Sequence, residues 1–340
     1  MKNFFNFLLL CVVTIFISCE KTDLTNQSVS SGYSHGIYVV NEGNYGQNNA
    51  SVTYINTDSN IVINDVFQKA NNRSLGDVAM CLGFAGGKGF IVVNNSYKIE
   101  CVDLKTFKTV QVITGFTYPR YFLKINDNTA YVTDGNFAGK VYVIDVNMMK
   151  KTDSIPVGYG PENMVLVNNN VFVANSGGWG IDSTLSVINP ATNKVFTTVK
   201  VDAFPTDLVV DANNNVWALC QNYLVCVNGS NFTVLKKIPL LHSSEYYNPH
   251  RMAIDQSKTT IYIAEDDGVK AISITALSVP TIPLIARKFY GLDVNPSNGQ
   301  IFGCNAENYS QKGFVIRYKN TGEIIDSIQV GMIPGSVFFN

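Results

Sequence analysis

The sequence predicts an all-β fold, a seven-bladed β-propeller whose first blade is closed by the C-terminal strand. Three observations carry this prediction: a repeat of 40 to 45 residues, an apolar and aromatic composition low in charge, and first and last repeats that are each incomplete. Each copy writes an apolar strand, a short Asn/Asp/Gly turn, a second apolar strand, a polar loop rich in Asn, Gly and Tyr, and a third strand ending near an acidic residue or Asn. The clearest copy runs Met164-Val165-Leu166-Val167, Asn168-Asn169-Asn170, Val171-Phe172-Val173-Ala174-Asn175, a loop from Ser176 to Ser183, then Thr184-Leu185-Ser186-Val187-Ile188-Asn189. A period of this length with several strands per unit is the signature of radial β repetition.

Aligned on the start of each inner strand, the copies begin at Leu75, Pro119, Pro161, Pro205, Pro249, Phe289 and Pro334. Proline suits the first residue of a strand because its φ is fixed and it has no N–H to offer the ladder. The last copy stops after one strand, and the first starts one strand late, at Ile37-Tyr38-Val39-Val40-Asn41. Together the two fragments make one blade, and pairing them removes the free sheet edges that invite aggregation.

Composition agrees. The chain of 340 residues is 46% apolar and 15% charged, with 20 Phe and 17 Tyr, which suits a large β core. One propeller occupies the length that might otherwise suggest two domains. A net charge of −1 and the lack of any basic tract predict no nucleic-acid partner.

The N-terminus reads as an address. Lys2 precedes an apolar stretch, Phe4 to Ile17, too short to span a bilayer comfortably and laid out as a secretory signal. It ends in Phe16-Ile17-Ser18-Cys19, which resembles a bacterial lipobox. The expected organisation is a lipoprotein signal over 1–18, a lipidated flexible tether over 19–35 with Cys19 as the anchor, and the propeller over 36–340. The expected location is the outer membrane at the cell surface, held there by lipid.

Sites of chemistry are sparse. The chain has no Walker A, GxGxxG, HExxH or CxxC motif. Gly32-Tyr33-Ser34-His35-Gly36 matches GxSxG, but a nucleophile elbow needs a strand before the serine and a helix after it. No catalytic residue and no resident metal or cofactor is assigned. Of the five cysteines beyond Cys11 and Cys19, Cys220 and Cys226 flank a predicted hairpin, where a disulfide is one reading and buried free thiols are the favoured one. Glu265-Asp266-Asp267-Gly268 reads as a hairpin turn in preference to a cation site. Asp211 to Asn215 reads as a turn between strands.

The binding surface follows from the architecture. With strands A to D running outwards from the channel, the B–C loops and D–A connections of all blades emerge on one face. They carry Asn44 and Tyr45, Asn95 and Tyr97, Arg120, Asn136 and Phe137, Glu162, Trp179, Tyr223, His250 and Arg251, Asp266, Tyr290 and Tyr309, and these are the candidate ligand contacts. Amides are common in turns for structural reasons, but turns do not require aromatics beside them. Exposed aromatics among polar groups mark recognition surfaces. Such a rim, poor in charge, suits a large, mostly neutral ligand with many amides or hydroxyls. Two other readings stand beside it: a glycan-binding or adhesive module, and a propeller lactonase holding a metal through Glu42, Asn44 or Glu265 to Asp267.

The run Tyr38-Val39-Val40-Asn41-Glu42-Gly43-Asn44-Tyr45-Gly46, followed by Ala50-Ser51-Val52-Thr53-Tyr54-Ile55, resembles the opening blade of YncE-like, YVTN-type propeller surface lipoproteins of gut Gram-negative bacteria. Gly160-Pro161-Glu162-Asn163-Met164 and Val173-Ala174-Asn175-Ser176-Gly177 look like the repeat signature of that class. Within it the chain is most similar to the BtuG-type cobalamin-binding lipoproteins. The resemblance implies capture of cobalamin (vitamin B12) and its transfer to a BtuB-type TonB-dependent outer-membrane transporter. It supplies no site residues; those above come from loop geometry alone.

Overall fold

Short runs of β-branched and aromatic residues, separated by Asn- and Gly-rich turns, pair with their sequence neighbours into antiparallel meanders. The computed structural model describes residues 32–59, 61–135, 137–241 and 251–340; the expected signal segment, Cys19, most of the expected tether, Asn136, His242 and His250 lie outside them. Among the described residues seven sheets form a ring. Blade 1 joins Pro334–Phe339 to Ile37–Asn41, Ser51–Ile55 and Val62–Ile63. Blade 2 comprises Ala79–Ala85, Lys88–Val93, Lys98–Asp103 and Thr109–Ile113. Blade 3 comprises Pro119–Lys124, Thr129–Asp134, Lys140–Asp145 and Lys150–Pro156. Blade 4 comprises Pro161–Val167, Asn170–Asn175, Thr184–Asn189 and Lys194–Lys200. Blade 5 comprises Asp207–Val210, Asn215–Leu219, Tyr223–Asn228 and Val234–Pro239. Blade 6 has Met252–Ile254, Thr260–Glu265 and Gly268–Ser273. Blade 7 has Gly291–Val294, Ile301–Asn305, Lys312–Tyr318 and Ile324–Met332.

The closure read from the two incomplete repeats is present. Ile37 faces Phe339, Val39 faces Val337 and Asn41 faces Pro334 across an antiparallel pair. The folded part also reaches slightly further back than expected. Tyr33 donates its N–H to Leu104 O at 2.7 Å and packs edge-on against Tyr54 and Phe107, so residues 32–35 of the expected tether belong to the propeller surface. The GxSxG match lies there, in a turn followed by a strand, which is not an elbow.

The core lies between consecutive blades. Blades 2 and 3 share Phe90, Val92, Ile99, Ala130, Val132 and Ile144; blades 4 and 5 share Phe172, Leu185, Val187, Val216, Ala218 and Val225. The facing rows of neighbouring sheets thus meet, and apolar burial at about 25 cal/mol per Å² accumulates between the blades.

Two departures matter. Among the described residues blade 6 has three strands: its fourth position holds a segment containing Pro280 and Pro283, which cannot donate to a ladder, and there Val269 bridges to Ile285. A short helix, Val66–Asn71, also enters between blades 1 and 2, burying Val66 and Phe67. Cys220 and Cys226 are free and buried. Cys226 sits opposite Trp217 in the register, well away from Cys220 at the turn.

Candidate functional site

At the rim face the inner strands begin with a common irregularity. The pairing of the inner strand slips just after Pro119, just after Pro161, between Ala79 and Cys81, and opposite Pro334. A bulge of this kind re-aims side chains and increases twist. In blades 3 and 4 it lets Arg120 and Tyr121, and Glu162 and Asn163, reach the channel together, which strict alternation would forbid.

The result is a ring of charge at the channel mouth. The Arg120 guanidinium grips Glu162, with Nε 3.0 Å from both carboxylate oxygens and Nη2 2.9 Å from Oε2. Burial alone would lower the Arg120 pKa, but the Glu162 carboxylate more than offsets this and holds it above its ordinary value. From blade 1, Glu42 accepts the Tyr290 hydroxyl at 2.8 Å. Burial pushes the Glu42 carboxyl up, against the pull of Arg251.

Arg251 immediately precedes the inner strand of blade 6, and its Nη1 donates to the hydroxyl of Tyr121 in blade 3. Blades 3 and 6 are as far apart as a seven-membered ring allows, so this contact crosses the channel. It divides the channel in two, for Tyr121 and Arg251 line both cavities. The upper cavity, about 340 Å³, opens on the rim face between Glu42, Arg120, Glu162 and the rings of Tyr45, Tyr290 and Tyr309. The lower, about 410 Å³, holds Asp207 and Asp293. Asp207 accepts the Met252 N–H at 3.0 Å and Asp293 the Val337 N–H at 2.7 Å. Each of these acids therefore ties its own inner strand to the next one.

Six expected contacts therefore line one cavity: Tyr45, Arg120, Glu162, Arg251, Tyr290 and Tyr309. Tyr309 stands edge-on to Tyr290 at 5.7 Å, and Tyr45 is 78% exposed. Phe137 and Trp179 are exposed and pack edge-on at 6.0 Å, but they stand outside the cavity, as do Tyr97 and Tyr223. Tyr223 lies in a strand beneath Lys237.

The expected amides are mostly spent on the fold. Asn44 donates to Tyr309 O at 2.6 Å, and Asn95 to Asp77 at 2.6 Å. Asn41 and Asn175 reach the hydroxyls of Ser51 and Thr53, and of Thr184 and Ser186, at matching places in blades 1 and 4. Glu265 pairs with Gly268 across a two-residue turn, the hairpin expected there, and its acids are ion-paired, Asp266 with Lys288 at 2.5 Å and Asp267 with the buried Lys270 at 2.6 Å. Asp266 is thus a turn residue outside the cavity. Asp211 accepts two backbone N–H groups and the Trp217 indole N–H at 2.9 Å. Among the described residues no three His, Cys, Asp or Glu are grouped to hold a metal.

The expectation of a rim poor in charge needs correction: it describes the outer loops, whereas the cavity floor is built of two Arg–Glu pairs. Tyr121 and Glu42 were missing from the candidate contacts. Tyr121 reads in the sequence as an ordinary strand residue, and the bulge that presents it leaves no local signal beyond Pro119.

The profile of a domain of unknown function, DUF5074, matches residues 35–340. The chain belongs to this family. Among curated proteins, none matches the sequence of this DUF5074 member. Its fold is similar to that of a quinonprotein alcohol dehydrogenase-like protein from Bacteroides thetaiotaomicron, with a TM-score of 0.69 and 16% identity over 91% of this chain and 79% of that one. It is similar also to a functionally unknown protein from Desulfotomaculum acetoxidans, with a TM-score of 0.66 and 13% identity over 90% and 99% of the two chains. A third likeness is to the Cps50 (Swd1) β-propeller domain of Myceliophteria thermophila, with a TM-score of 0.60 and 10% identity over 82% and 95%. At these identities the likeness concerns the fold alone.

Proposed function

We propose that this DUF5074 propeller is a cell-surface binding protein that captures cobalamin at the rim-face mouth of its channel and passes it to a TonB-dependent outer-membrane transporter of the BtuB type. The observation that carries a ligand at this place is the cavity itself: about 340 Å³, walled by Tyr45, Tyr290 and Tyr309 and closed below by Arg251 and Tyr121. Its size falls in the range of small-molecule sites. It is too small to engulf a corrin, so the macrocycle lies across the rim aromatics and one projecting arm enters the mouth. The choice of cobalamin rests on the similarity of the chain as a whole to BtuG-type lipoproteins, since the Asn41-Glu42-Gly43-Asn44 opening is shared across the wider propeller class. Lipid attachment at Cys19 places the binder beside its transporter and raises the local ligand concentration there.

Titration of purified protein with cyanocobalamin, followed by absorbance and calorimetry, tests the reading. Tight 1:1 binding supports it, and no binding at micromolar concentration removes it. A second reading, a glycan-binding surface module, is favoured by the edge-to-face pair of exposed Phe137 and Trp179, since exposed aromatic faces suit sugars. A glycan array separates the two.

A further inference from the structure

The two ion pairs at the mouth are not alike. Arg120 and Glu162 are closed on each other at 2.9 to 3.0 Å. Arg251 Nη2 and Glu42 Oε1 stand 3.9 Å apart, beyond hydrogen-bond reach. Each is held by its other end, Arg251 by the Tyr121 hydroxyl and Glu42 by the Tyr290 hydroxyl. A donor and an acceptor thus face one another across a gap at the floor of the cavity. The backbone builds this gap: a Cβ on Gly335 of the closing strand would come within 2.5 Å of Glu42 Oε1, so only glycine there lets the carboxylate sit where it does.

We infer that the gap between Arg251 and Glu42 is a subsite for a primary carboxamide carried by a neutral ligand. The bonds of an amide, about 1.23 Å to oxygen and 1.33 Å to nitrogen, set those two atoms roughly 2.2 Å apart. Laid edge-on across a donor and acceptor separated by 3.9 Å, the group accepts from Arg251 and donates to Glu42, both at about 2.9 Å. A carboxylate satisfies Arg251 but meets Glu42 with like charge, and an ammonium does the reverse. A hydroxyl must make both bonds from one oxygen at an angle of roughly 90°, tighter than either bond prefers. The inference rests on the mouth being a ligand site, and it names the group that site recognises.

The test uses the full chain and four small probes in ligand-observed NMR: propionamide, propionate, propylammonium and 1-propanol at millimolar concentration. Propionamide is expected to bind, with the others on the order of tenfold weaker. In Glu42→Gln the carbonyl keeps the Tyr290 bond and the NH2 turns to Arg251, so two donors face the gap. Propionate then binds and propionamide loses its advantage. Such an inversion supports the subsite and would not follow from a merely structural Glu42. Equal binding of the probes, a preference for propanol, no binding of any probe, or the same order in the variant overturns it. If Glu42→Gln fails to fold, the wild-type order alone decides. The result is separable from the vitamin: inversion without cyanocobalamin binding keeps the subsite and removes cobalamin, whereas cyanocobalamin binding without a propionamide preference does the opposite.

Discussion

Asp293 lies in the lower cavity, and burial raises its carboxyl to about 8 from an ordinary value of 3.8. Glu42 and Asp207 are raised as well, burial again being the main cause. A carboxyl with a raised folded pKa binds its proton more tightly in the folded state. Its contribution to stability is therefore complete below about pH 4 and lost as pH rises through 8. Melting temperature should fall across that window, and Asp293→Asn, which keeps an acceptor for the Val337 N–H, should flatten the fall; a variant that melts with the wild-type pH profile would clear Asp293 of the effect. At the mouth, the aromatic rings are expected to outweigh the acidic turn. Replacing Tyr45 and Tyr309 together by Ala should cost about 2 kcal/mol or more, roughly thirtyfold in ligand dissociation rate. Asp266→Ala should leave that rate unchanged, since its partner Lys288 is a surface residue. Asp267→Ala should instead lower the melting temperature, because it strips a carboxylate from the buried Lys270. Equal dissociation rates in the aromatic and acidic variants would move the site elsewhere on the rim.

The closing strand Pro334–Phe339 supplies blade 1 with its inner strand, backs Glu42 with Gly335 and donates the Val337 N–H to Asp293. Deleting residues 333–340 should therefore abolish the cooperative melt and cause aggregation, far beyond the effect of trimming an exposed loop of equal length. An unchanged melt would contradict ring closure. This element was legible beforehand because two halves of one repeat stood at opposite ends of the chain. Pro119, Pro161 and Pro334 likewise marked strand starts that the structure retains. The missing outer strand of blade 6 was written in Pro280 and Pro283, yet hidden by the regular period around them. The bulges were not legible, because a one-residue slip depends on the partner strand rather than on local composition. The charged floor stayed hidden for the same reason: Glu42, Arg120, Glu162 and Arg251 come from four blades and meet only when the ring closes.

The whole ring gives the ligand a single direction of approach. Arg251 and Tyr121 bar the channel, so a ligand at the mouth enters and leaves by the rim face. The two arginines and two glutamates below it sum to zero charge, and raising salt should change the affinity of a neutral ligand only slightly, whereas a site of net charge would weaken steeply toward a charged one. Membrane attachment, by contrast, is proposed to rest on a lipid carried by Cys19. Cys19→Ala should leave the melting curve and the ligand dissociation rate as they are while removing palmitate labelling and releasing the protein from the outer-membrane fraction. The two readouts separate because a lipid chain acts only by partitioning, at about 0.8 kcal/mol per buried CH₂. If the variant still fractionates with the membrane, the propeller itself holds the protein there and the lipid anchor is not its means of attachment.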